Sequence, residues 1–314
     1  MITDQQTAVV PENELDLFAY PSENSFKSIW LKSRFFVLSK VYKSTFAHIK
    51  ALTGNSLFHT AVESKPRILE KALKPYLYVD IKPMQRMRHI EEHFSLLSDT
   101  FGNSIEGAFK EDGLTLLSLE DSKGSSYSII LFDGEMREGS LGLRIINDLG
   151  QTIYSITFNL STSPVKTMHI GALKGPSEQI EDRNQVIKTL TRSFHGLRPK
   201  ALMVELALIF GKSIGVQEFV GVSNKGHIYQ ALRYKGSKNK AVTFDYDELW
   251  AEYGAVQCDK YRYDIPAFPE RKDPSALKKN KRRLYTKRYA WLDELELDLS
   301  NKINALKTET IELG

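Results

Sequence analysis

A single cysteine, Cys258, stands in 314 residues. That excludes an intramolecular disulfide framework and any zinc site built from several thiolates, and it accords with a reducing, cytoplasmic compartment. Long apolar runs are also missing. The densest, 201–211 (ALMVELALIFG), falls short of the roughly eighteen residues that mark a spanning helix and contains Glu205, so no integral membrane segment is expected. The first twenty residues are polar and acidic, without the basic and apolar regions of a secretory signal, and none is expected there. An excess of one charge is lacking too. Lys and Arg number 43 against 39 Asp and Glu, a formal +4, which is too slight to demand a nucleic-acid partner. A hydrophobic content of 41% with 26% charged residues permits a sizeable core and argues against wholesale disorder.

The first 24 residues read as a flexible lead. From 25 to 57, Phe26, Ile29, Trp30, Phe35, Phe36, Leu38, Val41, Tyr42, Phe46 and Ile49 recur at mostly helical steps with lysines between them. Such a basic, aromatic helical pair covers a core or touches an anionic surface. Residues 84–98 repeat the rhythm and complete a helical region, 25–100. The period then changes. Runs at 113–120, 125–134, 139–148 and 151–160 are rich in β-branched and aromatic residues and are separated by short turns, which predicts an antiparallel meander. Residues 165–173 supply a fifth strand. Helices are expected over 182–194 and from Pro199 onward, the second apolar nearly all round and therefore buried. A buried strand follows at 216–224, then a basic loop, KGSKNK (235–240). The mixed core closes near 255. An extension, 256–314, contains a helix at 277–306 with a basic first half and an acidic second half. The fold class is α+β: a mostly antiparallel sheet with packed helices, a helical cover before it and a basic helix after it.

Few motifs carry chemistry. GKS at 211–213 lacks the glycine five residues earlier and ends a helix, so it is no P-loop. His89 and His93 lie one helical turn apart beside Glu91 and Glu92; this pair is expected to be solvated, and no metal site is expected. His169, His195 and His227 fall at strand ends or turns, where ligands gather. Either they are structural histidines satisfied by carbonyls or they move protons. In HGLRPK (195–200), Arg198 and Lys200 flank Pro199 at the start of the apolar helix, an arrangement suited to phosphate or carboxylate and equally to an ordinary proline-initiated helix. Glu205, the lone charge in its run, is either an ion-pair member or a general base. The sequence reading expects the helix-opening turn, the two strand tips and their imidazoles to share one cleft.

The order of meander, basic turn, apolar helix and strand ending in Ser223-Asn224 is similar to that of GNAT-type N-acyltransferases. The resemblance implies an acyl-CoA-type donor held by His195, Gly196, Arg198 and Lys200, with Asn224 and Tyr229 or Tyr234 acting on the leaving thiolate. His169, His227 or Glu205 would transfer protons. The glycine pair of that family's loop is replaced here by Arg198-Pro199-Lys200, and Pro199 removes an N–H donor. The blocks at 168–176 (MHIGALKGP), 193–215, 219–229 (FVGVSNKGHIY), 244–255 and 278–295 resemble the VirK/YbjX family of Gram-negative bacteria over roughly 83–295. That resemblance implies a cytoplasmic or inner-membrane-peripheral protein linked to virulence, envelope stress and tolerance of cationic antimicrobial peptides, with no catalytic residue assigned. It is compatible with an anionic small molecule or an anionic membrane surface as partner, the latter met by the basic face of 278–288.

Overall fold

The computed structural model describes residues 26–121, 124–234 and 244–312. The expected lead and the KGSKNK loop lie outside the described residues. Eight helices are present among those described. The first four are α1 (Phe26–Val41), α2 (Lys43–Leu52), α3 (Ser56–Ser64) and α4 (Pro83–Phe101). Five strands follow: β1 (Leu114–Glu120), β2 (Ser126–Phe132), β3 (Leu141–Asn147), β4 (Thr152–Ser161) and β5 (Thr167–Lys174). Then come α5 (Arg183–Ser193), α6 (Pro199–Ser213), β6 (Glu218–Val222), α7 (Tyr246–Glu252), β7 (Val256–Gln257), β8 (Arg262–Ile265) and α8 (Lys279–Glu312).

The eight strands form one sheet in the order β1-β2-β3-β4-β5-β6-β8-β7. The first five make the expected antiparallel meander. β6 runs parallel to β5, pairing Thr167–Ile170 with Glu218–Gly221. Parallel neighbours need a long crossover, and α5 with α6 supplies it. Its second helix is apolar nearly all round because most of it is enclosed: Leu202, Met203, Val204, Leu206, Leu208 and Phe210 are all buried. The hairpin of β7 and β8 lies inside what the sequence suggests is an extension, and β8 adds to the sheet beside β6.

Alternation along β4 and β5 separates an apolar face from a polar one. Phe158 meets Phe210 of α6 at 5.6 Å between rings, and Met168 reaches Gly211 of the same helix. The intervening residues, Asn159 and His169, sit opposite one another and face α4 and residues 76–78. Helix α8 packs against α6, α4 and β1, burying Leu292, Leu295, Leu299, Ile303 and Leu306.

Close backbone approach fixes two points near the end of β5. A Cβ at Gly171 would collide with the Glu138 carbonyl, and one at Gly221 would collide with the Trp250 indole. Trp250 also donates from Nε1 to the Val222 carbonyl at 2.8 Å, so α7 is locked onto β6. Gly221→Ala should cost about 1–3 kcal/mol by overpacking, read as a lower urea midpoint with unchanged slope. An unaltered midpoint would contradict this packing.

Candidate functional site

The residues singled out by sequence settle in three places instead of one cleft. Asn224 and His227 stand where β6 gives way to α7. Asn224 donates from Nδ2 to Asp245 Oδ1 (2.9 Å), accepts at Oδ1 from the Tyr246 amide (2.8 Å), and its own amide donates to Asp247 Oδ1 (2.9 Å). Asp245 in turn caps α7 through the Glu248 amide at 3.0 Å. Asn224 thus helps to start α7, with one N–H of its side-chain amide given to Asp245. His227 is buried, stacks on Tyr246 with ring centroids 5.4 Å apart and accepts at Nδ1 from the Tyr229 amide (3.3 Å). Burial, reinforced by Lys174, lowers its pKa to about 4, so the ring is neutral near pH 7. With Nδ1 accepting, the ring proton sits on Nε2.

The same spot includes Tyr229, named above, and groups that sequence reasoning did not single out. β5 outruns its pairing with β6: the ladder ends at Ile170 and Gly221, while β5 continues to Lys174. Beyond that point the Leu173 amide donates to the Tyr246 hydroxyl (3.2 Å) rather than to a β6 carbonyl. Lys174 pairs with Glu135 at 2.8 Å and approaches buried Glu138 at 3.9 Å. Tyr229 hydrogen-bonds Glu138, and burial together with that carboxylate raises its pKa. Past the point where the two parallel strands part, His227, Tyr229, Tyr246, Glu138 and Lys174 therefore gather, the first, third and fourth of them buried.

The HGLRPK segment lies at the other end of α7. Lys200 pairs with Glu252 (2.9 Å), and Tyr253 donates to the Ala201 carbonyl (2.9 Å). Seven helical residues put the two ends of α7 about 10 Å apart. His195 and Gly196 both have positive φ, 51° and 76°, turning the chain sharply after α5. Arg288 donates from Nε to the His195 carbonyl at 3.1 Å. This turn opens on a cleft of about 760 Å³ between α6, residues 268–272 and α8, whose lining includes Arg198, Glu205, Tyr253, Arg271 and Arg288. Glu205 hydrogen-bonds Tyr253, and burial raises its pKa. Lys212–Glu296 (2.6 Å) and Arg271–Asp293 (2.7 Å) neutralise much of the surrounding charge. The basic half of α8 is partly spent inside the molecule as well, since Arg282 donates to the Ser275 carbonyl at 3.0 Å.

His169 keeps different company. Its Nε2 lies 2.9 Å from Ser161 Oγ, its Nδ1 3.1 Å from the Tyr78 hydroxyl, and its ring 4.9 Å from that of His89. Burial, then His89 and Arg262, hold its pKa well below the usual value. The expectation that His89 and His93 are solvated is corrected. His93 is wholly buried and accepts at Nδ1 from the Leu160 amide (3.0 Å), while the His89 carbonyl receives Asn159 Nδ2 at 2.8 Å. Beside them Tyr76 donates to Asn159 Oδ1 (2.7 Å) and meets Ser140 Oγ (2.6 Å), and Lys71 donates to the Gly139 carbonyl (2.9 Å). Lysines and tyrosines interrupting the apolar text of 68–78 were the available signal, for a charge buried in such a run needs partners.

The family described as "Protein of unknown function (DUF535)" matches residues 24–301. The chain belongs to that family. It is 32% identical over 237 residues to "Uncharacterized protein YbjX" of Escherichia coli K12, covering 74% of this chain and 71% of the relative. A Haemophilus influenzae "Uncharacterized protein" is 27% identical over 216 residues, covering 68% and 70%. "Membrane protein LapB" of Mannheimia haemolytica shares 33% identity over 75 residues, 24% of this chain and 31% of that protein. Among solved structures, a cAMP-binding acyltransferase from Mycobacterium smegmatis aligns at a TM-score of 0.31 and 8% identity, over 71% of this chain and 60% of that one. Among the described residues, no helix is long and apolar enough to cross a membrane.

In this DUF535 chain the seam around Tyr76 carries a titratable group of its own. Burial pushes the Lys71 ammonium down to about 7, with Asp133 opposing and Lys65 and Arg137 adding to the shift. The unfolded chain keeps that proton until about pH 10.4. Between pH 7 and 10 the unfolded state therefore binds more protons, and stability must rise with pH. Below pH 7 both states are charged, so the burial cost, on the order of 4 kcal/mol, is fully present. His93, lowered to about 3, acts in the same direction between pH 3 and 6.5. From pH 7 to 9.5 the unfolding free energy from urea titrations should rise by roughly 3 kcal/mol more for the native chain than for Lys71→Met. Parallel profiles would show that Lys71 is not buried in its charged form.

Proposed function

We propose that this protein transfers an acyl-type group from an anionic, acyl-CoA-like donor to a component of the bacterial envelope, at the polar cluster where β5 and β6 part. The observation that carries the reading is that parting itself, in which a strand edge at the carboxyl end of a parallel pair is served by a tyrosine hydroxyl in place of a neighbouring strand. Ligands gather at such carboxyl ends.

The donor would supply an activated acyl group; this chain's residues would orient and polarise it. A neutral His227 with its proton on Nε2 is a hydrogen-bond donor at neutral pH, suited to a carbonyl oxygen that gains charge. Arg198, exposed at the start of α6, lies one α7 length away, a separation that an elongated donor spans with its phosphates toward the arginine. Lys174, at the tip of β5, is already paired with Glu135, which leaves the phosphates to Arg198. His169 and Glu205 are then placed apart from the transfer: the first steadies the seam beside α4 and the second the cleft behind Tyr253. The VirK/YbjX resemblance supports an envelope setting, with roles in virulence, envelope stress and tolerance of cationic antimicrobial peptides, and a cytoplasmic protein peripheral to the inner membrane.

An acyl-CoA at about a hundred times its Kd should raise the Tm by roughly 5 °C. Arg198→Ala should weaken that rise, while His227→Gln should keep it and lose transfer of the acyl group to isolated envelope fractions. The absence of any shift with short- and long-chain CoA esters removes the proposal.

A further inference from the structure

Helix α1 is apolar on two sides. Its inner side holds Phe35, buried against Phe46 of α2 at 5.5 Å between rings, and Arg34 reaches buried Glu70 at 3.9 Å. Its outer side exposes Ile29, Trp30, Phe36, Val37 and Val41, each between 54% and 65% accessible. Positions 29, 30, 36, 37 and 41 follow one helical face, so these side chains form a single apolar stripe, with Ser33 and Lys40 set within it. A helix that only covers a core turns a polar face outward; contiguous apolar surface of this kind marks a contact.

Charge decides what the contact is. From 26 to 62 the sequence carries Lys27, Lys32, Arg34, Lys40, Lys43 and Lys50 and no Asp or Glu. Two of these cations lie over stripe aromatics: the Arg34 guanidinium is 4.5 Å from the Trp30 ring and the Lys40 ammonium 5.3 Å from the Phe36 ring. An apolar stripe with long cationic side chains on and beside it and no anion is the pattern of a helix lying in the interface of an anionic bilayer, its rings in the acyl boundary and its lysines reaching up to the headgroups. We infer that α1 docks the protein flat on an anionic lipid surface. The inference deepens the peripheral placement proposed above and assigns it to α1 rather than to the basic half of α8. It leaves the acyl-transfer reading free to stand or fall separately.

The full-length protein is sedimented with vesicles of phosphatidylglycerol and phosphatidylethanolamine, and with phosphatidylcholine vesicles as the neutral control. Binding to the anionic vesicles should exceed binding to the neutral ones by at least tenfold and weaken as salt rises. Trp30 emission, isolated by difference against Trp30→Phe, should shift to the blue on binding. Phe36→Ser with Val37→Ser, and separately Lys32→Glu with Lys40→Glu, should each cut vesicle binding at least tenfold while keeping the melting shift with acyl-CoA. Arg282→Glu with Arg283→Glu should leave binding within about twofold. Equal sedimentation with both vesicle types overturns the inference, as does binding that survives the α1 changes or is lost with the α8 pair. Trp30 already shielded from iodide in vesicle-free buffer overturns it too. That result would mean that the acidic residues 1–25, which contain five Asp and Glu and no Lys or Arg, or a second copy of the chain, cover the stripe.

Discussion

The parallel pairing of β5 with β6 is the constraint on which the rest of the molecule depends. Four residues on each strand make the ladder. To bring β6 alongside β5 in the same direction, the chain needs a crossover, and that crossover is α5, the His195-Gly196 turn and the buried α6. Because Gly221 has no side chain, Trp250 can occupy the space over it, and α7 is held against β6 where the strands separate.

Polar groups are handled differently on the two faces of β4 and β5. Toward α6 the contacts are aromatic and aliphatic. Toward α4 runs a buried seam of Lys71, Tyr76, Ser140, Asn159 and His93, in which most groups find protein partners. Such a seam costs desolvation, which shows as the depressed pKa values of Lys71 and His93, and repays it only if every member is satisfied. It fixes how α4 and residues 65–81 seat on the sheet, an alignment that apolar contacts alone would leave looser.

Much of this was legible in the sequence. The meander, the crossover helices and the long final helix follow from periods of two and 3.6 that survive because each element has one dominant environment. The hairpin of β7 and β8 was not legible, since strands of two and four residues carrying Arg262 and Asp264 have no apolar alternation to detect. Residues 65–82 gave no period because they form a short 3-10 turn and irregular chain. At the site, sequence picked out His227 and Arg198 through their turns, yet missed Tyr246 and Glu138, whose importance comes from a strand ending early. Asn224 looked free in sequence because its partners, Asp245 and Asp247, lie more than twenty residues away.

Amide hydrogen exchange with and without a long-chain acyl-CoA tests the central claim most directly. Added protection is expected in peptides covering 170–176 and 222–229, where β5 and β6 diverge, together with the start of α6. Protection confined to the seam around His169, or none at all, would contradict it.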